Sequence, residues 1–183
     1  MRLPVSVPLL GLVFLLSCSD ESISPDNTPN LRTLSAAEME VARRSNDFAF
    51  DLFRSAQDET PENLFISPLS VGMAVGMTLN GASGKTLEDI LNTMEYEGLE
   101  PAEVNQGYKD LSSLLLSMDK KVDFGLANSV WYTNSLTVKP SFDAVIKDYY
   151  DGKVGGLNFN DLGSKDVINQ WVSDKTNERI RNL

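Results

Sequence analysis

The sequence predicts an α+β protein, with helices packed on part of a β-sheet. Three stretches carry that prediction. Residues 101–118 place Val104, Tyr108, Leu111, Leu115 and Met118 at steps of four, three, four and three, the spacing of an amphipathic helix. Residues 122–132 alternate instead: Val122, Phe124, Leu126, Asn128, Val130 and Tyr132 share one face of a long strand. Between them in character is the stretch 63–90. There Leu64-Phe65-Ile66 reads as a short strand, Ser67 as a helix N-cap and Pro68 as the first helical residue. Leu69, Val71, Met73, Ala74, Val75, Met77 and Leu79 follow with apolar residues on every face, which predicts a helix buried on all sides.

Taken from the start, Arg2 precedes an apolar run, Leu3 to Leu16, that is too short for a membrane span and reads as a signal peptide over 1–17. It ends Leu15-Leu16-Ser17-Cys18, which resembles the bacterial lipobox. That resemblance implies a lipid on Cys18, and the alternative is an ordinary secretory signal with an incidental cysteine. Acyl chains on Cys18 would anchor the protein stably to a membrane. Residues 18–34 are polar, contain Pro25 and Pro29, and read as a tether spanning about 20 Å. Ser19-Asp20-Glu21 resembles a surface-export signal of some Gram-negative lipoproteins. The expected location is the bacterial cell envelope, at the outer membrane or the cell surface.

A domain is expected over 35–183. Ser35 and Glu38 form a capping box, and Met39, Val41, Phe48, Ala49, Leu52, Phe53 and Ala56 give the helix after it an apolar stripe. Glu59-Thr60-Pro61-Glu62 breaks the chain. Asn80-Gly81 closes the buried helix. Gly84-Lys85-Thr86 could end a phosphate-binding loop, but Leu79 stands where that loop needs glycine, so Thr86 to Met94 reads as a short helix. After the long strand, Thr133-Asn134-Ser135 turns and Leu136 to Val138 reads as a short extension. Pro140 opens a helix with Phe142, Val145, Ile146 and Tyr149 on one face, ended by Asp151-Gly152. Val154 to Phe159 is a strand weakened by Gly155-Gly156, and a last helix carries Ile168, Trp171, Val172 and Lys175 to about Asn177.

Composition excludes several functions. A net charge of −10 argues against nucleic acid as a partner. The absence of histidine rules out Ser-His-Asp and Cys-His catalysis and His-ligated zinc. One cysteine permits neither an internal disulfide nor a thiolate cluster, so no metal or other cofactor is expected. An enzyme working through carboxylates would need two acidic residues converging in a pocket, and the pattern offers no such pair.

Six segments together resemble the serpins. They are NLFISPLS followed by GASGKT, SNDFAFDLFR at 45–54, LANSVWY at 126–132, VKPSFDAVIKDYYDGKVGGLNF at 138–159 and INQWVSDKTNERIRNL at 168–183. The resemblance runs over residues 35–183 and covers the N-terminal half of that domain. It implies helices packed on part of a large central sheet. It also implies, for the full-length protein, suicide inhibition of a serine or cysteine protease: a cleaved reactive loop inserts into the sheet and releases stored strain. A serpin fold that binds without inhibiting is the alternative. Ser67 and Ser70 resemble members of the polar cluster that controls sheet opening, and for Ser67 a plain N-cap role stands beside that one. Asn63, Pro68 and Trp171 resemble fold-bearing residues, and none is catalytic. No stretch matches the reactive loop, its hinge or the strands flanking the insertion gap. Residues 1–183 alone are therefore expected to inhibit no protease. Residues 19–183 alone are expected to be molten, unfolded or aggregated, because an open strand edge and a half-covered apolar helix favour association.

Overall fold

The computed structural model describes residues 28–29, 31–59 and 63–183. The signal peptide, Cys18 and most of the tether lie outside the described residues. The elements are helix α1 (Ala36–Glu59), α2 (Pro68–Leu79), α3 (Gly84–Thr93), α4 (Pro101–Met118), strand β1 (Ser129–Thr133), α5 (Pro140–Tyr150), β2 (Lys153–Leu157) and α6 (Gly163–Lys175).

Local chemistry sets most helix ends. The α1 capping box is reciprocal: Glu38 N donates to Ser35 Oγ at 3.2 Å, and Ser35 N donates to Glu38 Oε2 at 2.7 Å. Prolines 68, 101 and 140 each open a helix where a backbone N–H would have no partner. Asp151 ends α5 in the left-handed conformation, φ 47°, and Gly152 N then donates to Ile146 O at 3.0 Å.

Helices α1, α2, α4 and α5 surround one core, built from Val41, Met73, Met77, Met94, Tyr96, Val104, Tyr108, Ile146 and Tyr150. The helix axes approach closely where glycine allows it. A methyl group at Gly107 of α4 would stand 2.4 Å from Val41 of α1, and one at Gly72 of α2 would stand 2.5 Å from the Tyr108 hydroxyl. Strands β1 and β2 pair in parallel, Ser129 opposite Lys153 through Thr133 opposite Leu157, with α5 as the crossover that parallel pairing demands. Val130 and Val154 set the sheet onto the helical core.

Four expectations need correction. The run 64–66 forms no strand, and Phe65 is 98% exposed, because an apolar run becomes a strand only beside a chain that can accept its hydrogen bonds. The long strand of 122–132 shrinks to Ser129–Thr133: its parallel partner begins at Lys153, whose N donates to Asn128 O at 2.9 Å, so residues 122–127 have no ladder among the described residues. Leu126 nonetheless packs on the core, which is what its alternating position encodes. Helix α2 is not covered on all sides. Gly72, Met73, Gly76, Met77 and Leu79 face inward, while Ser70, Val71, Ala74 and Thr78 are exposed. Along α1, Val41 and Phe48 are buried, but Met39 and Phe53 are exposed, since the neighbouring helices cover only part of the stripe. Smaller shifts follow the same logic: residues 136–138 join no strand, and β2 stops at Leu157 because Asn158 O accepts from Asp161 N in a turn.

Candidate functional site

The N-terminus of α2 gathers three of the residues singled out in the sequence. Ser67 is extended at φ −113°, ψ 93°, and its Oγ accepts from Ser70 N at 3.4 Å. The two hydroxyl oxygens lie 2.9 Å apart, and Pro68 occupies the first turn between them. Both serines are exposed. Their hydrogen bonds are to each other and to the Ser70 amide, so the pair acts as a helix cap with two hydroxyls at the surface. Asn63 is exposed and lies in the segment that forms no strand.

Trp171 belongs to a separate place. From α6 it meets Trp131 of β1 edge-on, ring centres 6.1 Å apart at 80°. Lys153 Nζ stands 5.0 Å from the Trp131 ring centre. The Trp131–Trp171 contact therefore ties α6 to β1, with Lys153 of β2 on the Trp131 ring.

The most heavily constrained polar groups are ones the sequence reading did not single out. Asn105 and Asn80 pair through their amides: Asn80 Nδ2 donates to Asn105 Oδ1 at 2.9 Å, and Asn105 Nδ2 donates to Asn80 Oδ1 at 2.8 Å. Asn80 Nδ2 also donates to Gly76 O at 2.9 Å, and the Tyr150 hydroxyl donates to Asn105 Oδ1 at 2.7 Å. Beside this lies a chain of hydroxyls. Ser45 Oγ is 2.6 Å from the Tyr96 hydroxyl, which donates to the Tyr108 hydroxyl at 3.1 Å. Burial pushes Tyr96, Tyr108 and Tyr150 above the ordinary phenol range and keeps them protonated donors. The network ties α1, α2, α4 and α5 together, and Asn128 Nδ2 extends it toward β1 by donating to Tyr150 O at 2.8 Å. Its sequence signal was the pair Gly72 and Gly76, one helical turn apart, which marks the groove that receives the Tyr108 ring.

The carboxyls with displaced titration point away from acid catalysis. Arg32 grips Glu38 through both guanidinium nitrogens, Nη1 to Oε2 at 2.8 Å, and with Ser35 holds that carboxyl at about 2. Arg43 and Arg44 hold Glu40 at about 2. A general acid needs the opposite shift. Among the described residues, no cluster of acidic, cysteine or histidine side chains is arranged to hold a metal ion, and no helix is long and apolar enough to cross a membrane.

Comparison with known proteins gives one family. The family model described as "Serpin (serine protease inhibitor)" matches residues 43–183. A serpin-like protein of Methanosarcina acetivorans is 29% identical over 99% of this chain and 44% of its own length. Human corticosteroid-binding globulin is 33% identical over 78% of this chain and 36% of its own. The crystal structure of human thyroxine-binding globulin superposes with a TM-score of 0.71 at 26% identity, over 80% of this chain and 40% of that one. The chain thus spans less than half the length of each of these three proteins.

Proposed function

This chain belongs to the serpin family, and on that premise we propose that the protein carrying it inhibits a serine or cysteine protease at a cell envelope. The observation that carries the proposal is the match of residues 43–183 to the family model described as a serine protease inhibitor. β1 and β2 form a parallel pair seated on the helical core. In the complete domain, loop insertion would add a strand to the sheet that this pair belongs to. Ser67 and Ser70 stand at the end of α2 where a polar cluster governing the opening of the sheet would begin. Attachment through a lipid on Cys18 rests on the lipobox-like run before it, and the polar segment 19–34 gives the domain its reach.

The test is direct. The complete gene product is incubated with a panel of serine and cysteine proteases, and the mixture is run on a denaturing gel. Inhibition predicts a detergent-stable complex with at least one protease. Cleavage of the product without any complex contradicts it. Metabolic labelling with palmitate tests the anchor: the wild type incorporates label, and Cys18→Ser does not.

A second reading has its own support. Two of the similar proteins carry binding functions in their names, corticosteroid and thyroxine. A serpin fold that binds a partner without inhibiting would give no covalent complex and a ligand-dependent rise in melting temperature.

A further inference from the structure

The polar segment before the domain joins it at Arg32. Arg32 is the only basic residue between Arg2 and Arg43, so an arginine- or lysine-directed cut between those two falls at the Arg32–Thr33 bond. Both terminal guanidinium nitrogens of Arg32 donate to the Glu38 carboxylate, and Nη1 also donates to Thr33 O at 3.4 Å. The Glu38 side chain is 5% exposed and the Arg32 side chain 45%. Glu38 is fixed from its other side by the capping box, in which Ser35 N donates to Oε2 at 2.7 Å.

A trypsin-class protease takes arginine into an acidic pocket and holds the residues around the bond as an extended strand. Here the guanidinium already has a carboxylate, in the two-pronged geometry that makes such pairs strong. Behind the bond come Thr33, the half-buried Leu34, the cap Ser35 and the first turn of α1. Cleavage must therefore break the ion pair, lift Leu34 and loosen the cap together. Leu31 and Thr33 are exposed, so it is these contacts, and not burial of the bond, that stand in the way.

We propose that Arg32–Thr33 is a guarded cleavage site: the pairing of Arg32 with Glu38 withholds it from trypsin-class serine proteases, and once the pair opens a single cut parts the domain from the segment before it. The step is a hydrolysis. The Arg32–Thr33 amide breaks, and water supplies the hydroxyl of the new Arg32 carboxyl group and a proton to the new Thr33 amine. That the cut also frees the domain from a membrane rests on the lipid reading of Cys18; the guard itself does not.

The complete gene product is digested with limiting trypsin, and the fragments ending at Arg32 and beginning at Thr33 are followed by mass spectrometry. Glu38→Gln keeps a side chain that can serve the capping box but removes its charge. It should speed this cut roughly three- to tenfold, the worth of a part-exposed ion pair with good geometry. Glu40 pairs with Arg43 and Arg44 instead, so Glu40→Gln should leave the rate at that of the wild type. Arg32→Gln should abolish both fragments. Equal rates in Glu38→Gln and the wild type would overturn the guard. So would equal acceleration in Glu40→Gln, which would make general fraying of α1 the cause. Absence of the cut even in Glu38→Gln would overturn the site. The mass of the fragment ending at Arg32 shows separately whether Cys18 carries a lipid, so failure of the anchor is read apart from failure of the guard.

Discussion

The helical part and the sheet part of this molecule are built on different terms. Around Tyr108 the helices close on themselves: Gly72, Gly76 and Gly107 let the axes approach, and every buried side-chain polar atom among the described residues has a partner. In the sheet part, β1 and β2 have only each other among the described residues, and residues 122–127 have no ladder there. Helix α6 is joined to this part through the Trp131–Trp171 contact. A helix completes its backbone hydrogen bonds internally, whereas a strand completes them only with a neighbour. The helical part therefore completes its backbone hydrogen bonds within each helix, and the sheet part needs further strands to complete them.

The sharpest way to break that contrast is to damage the finished part. Gly107→Ala pushes a methyl into the stiff Val41 side chain and should cost about 3 kcal/mol, read as a lower urea midpoint of the complete protein. Asn105→Ala leaves the Tyr150 hydroxyl and the Asn80 amide without their partner and should cost about 2 kcal/mol in the same measurement. Trp171→Ala should cost about 1 kcal/mol, and its effect should stay local. Hydrogen exchange should speed up in α6 and remain unchanged in α4.

The smallest effect concerns acid. Glu38 is held at about 2 in the folded protein, below its ordinary 4.5, chiefly by Arg32. Its contribution to stability is complete above about pH 4.5 and is lost as pH falls through about 2. Urea midpoints of Glu38→Gln and the wild type should therefore converge between those values. An unchanged gap across that range would show that the Arg32 pairing contributes nothing.

The contrast also explains what the sequence disclosed. Helices opened by Pro68, Pro101 and Pro140 were legible because start signals and apolar spacing are local. So were the Ser35–Glu38 capping box and the turn at Asp151. The strands were overread at 64–66 and 122–128, because alternation reports which face can be buried and not whether a partner strand is there. The exposed side of α2 was hidden for the same reason: its composition is apolar on every face, and coverage is decided by other elements. In the candidate site, the cap formed by Ser67, Pro68 and Ser70 was legible because the three lie within four consecutive residues. The amide pair of Asn80 and Asn105 spans 25 residues and that of Tyr150 with Asn105 spans 45, and no local pattern encodes such a meeting.

Amide-resolved hydrogen exchange on residues 19–183 alone tests the division between the two parts most directly. The account predicts a molten chain without a sharp cooperative melt, in which amides of α2 and α4 are the best protected and those of 122–128 exchange at the rate of an open chain. Uniform protection across α4, residues 122–128 and β1, with a single sharp melt, would contradict it.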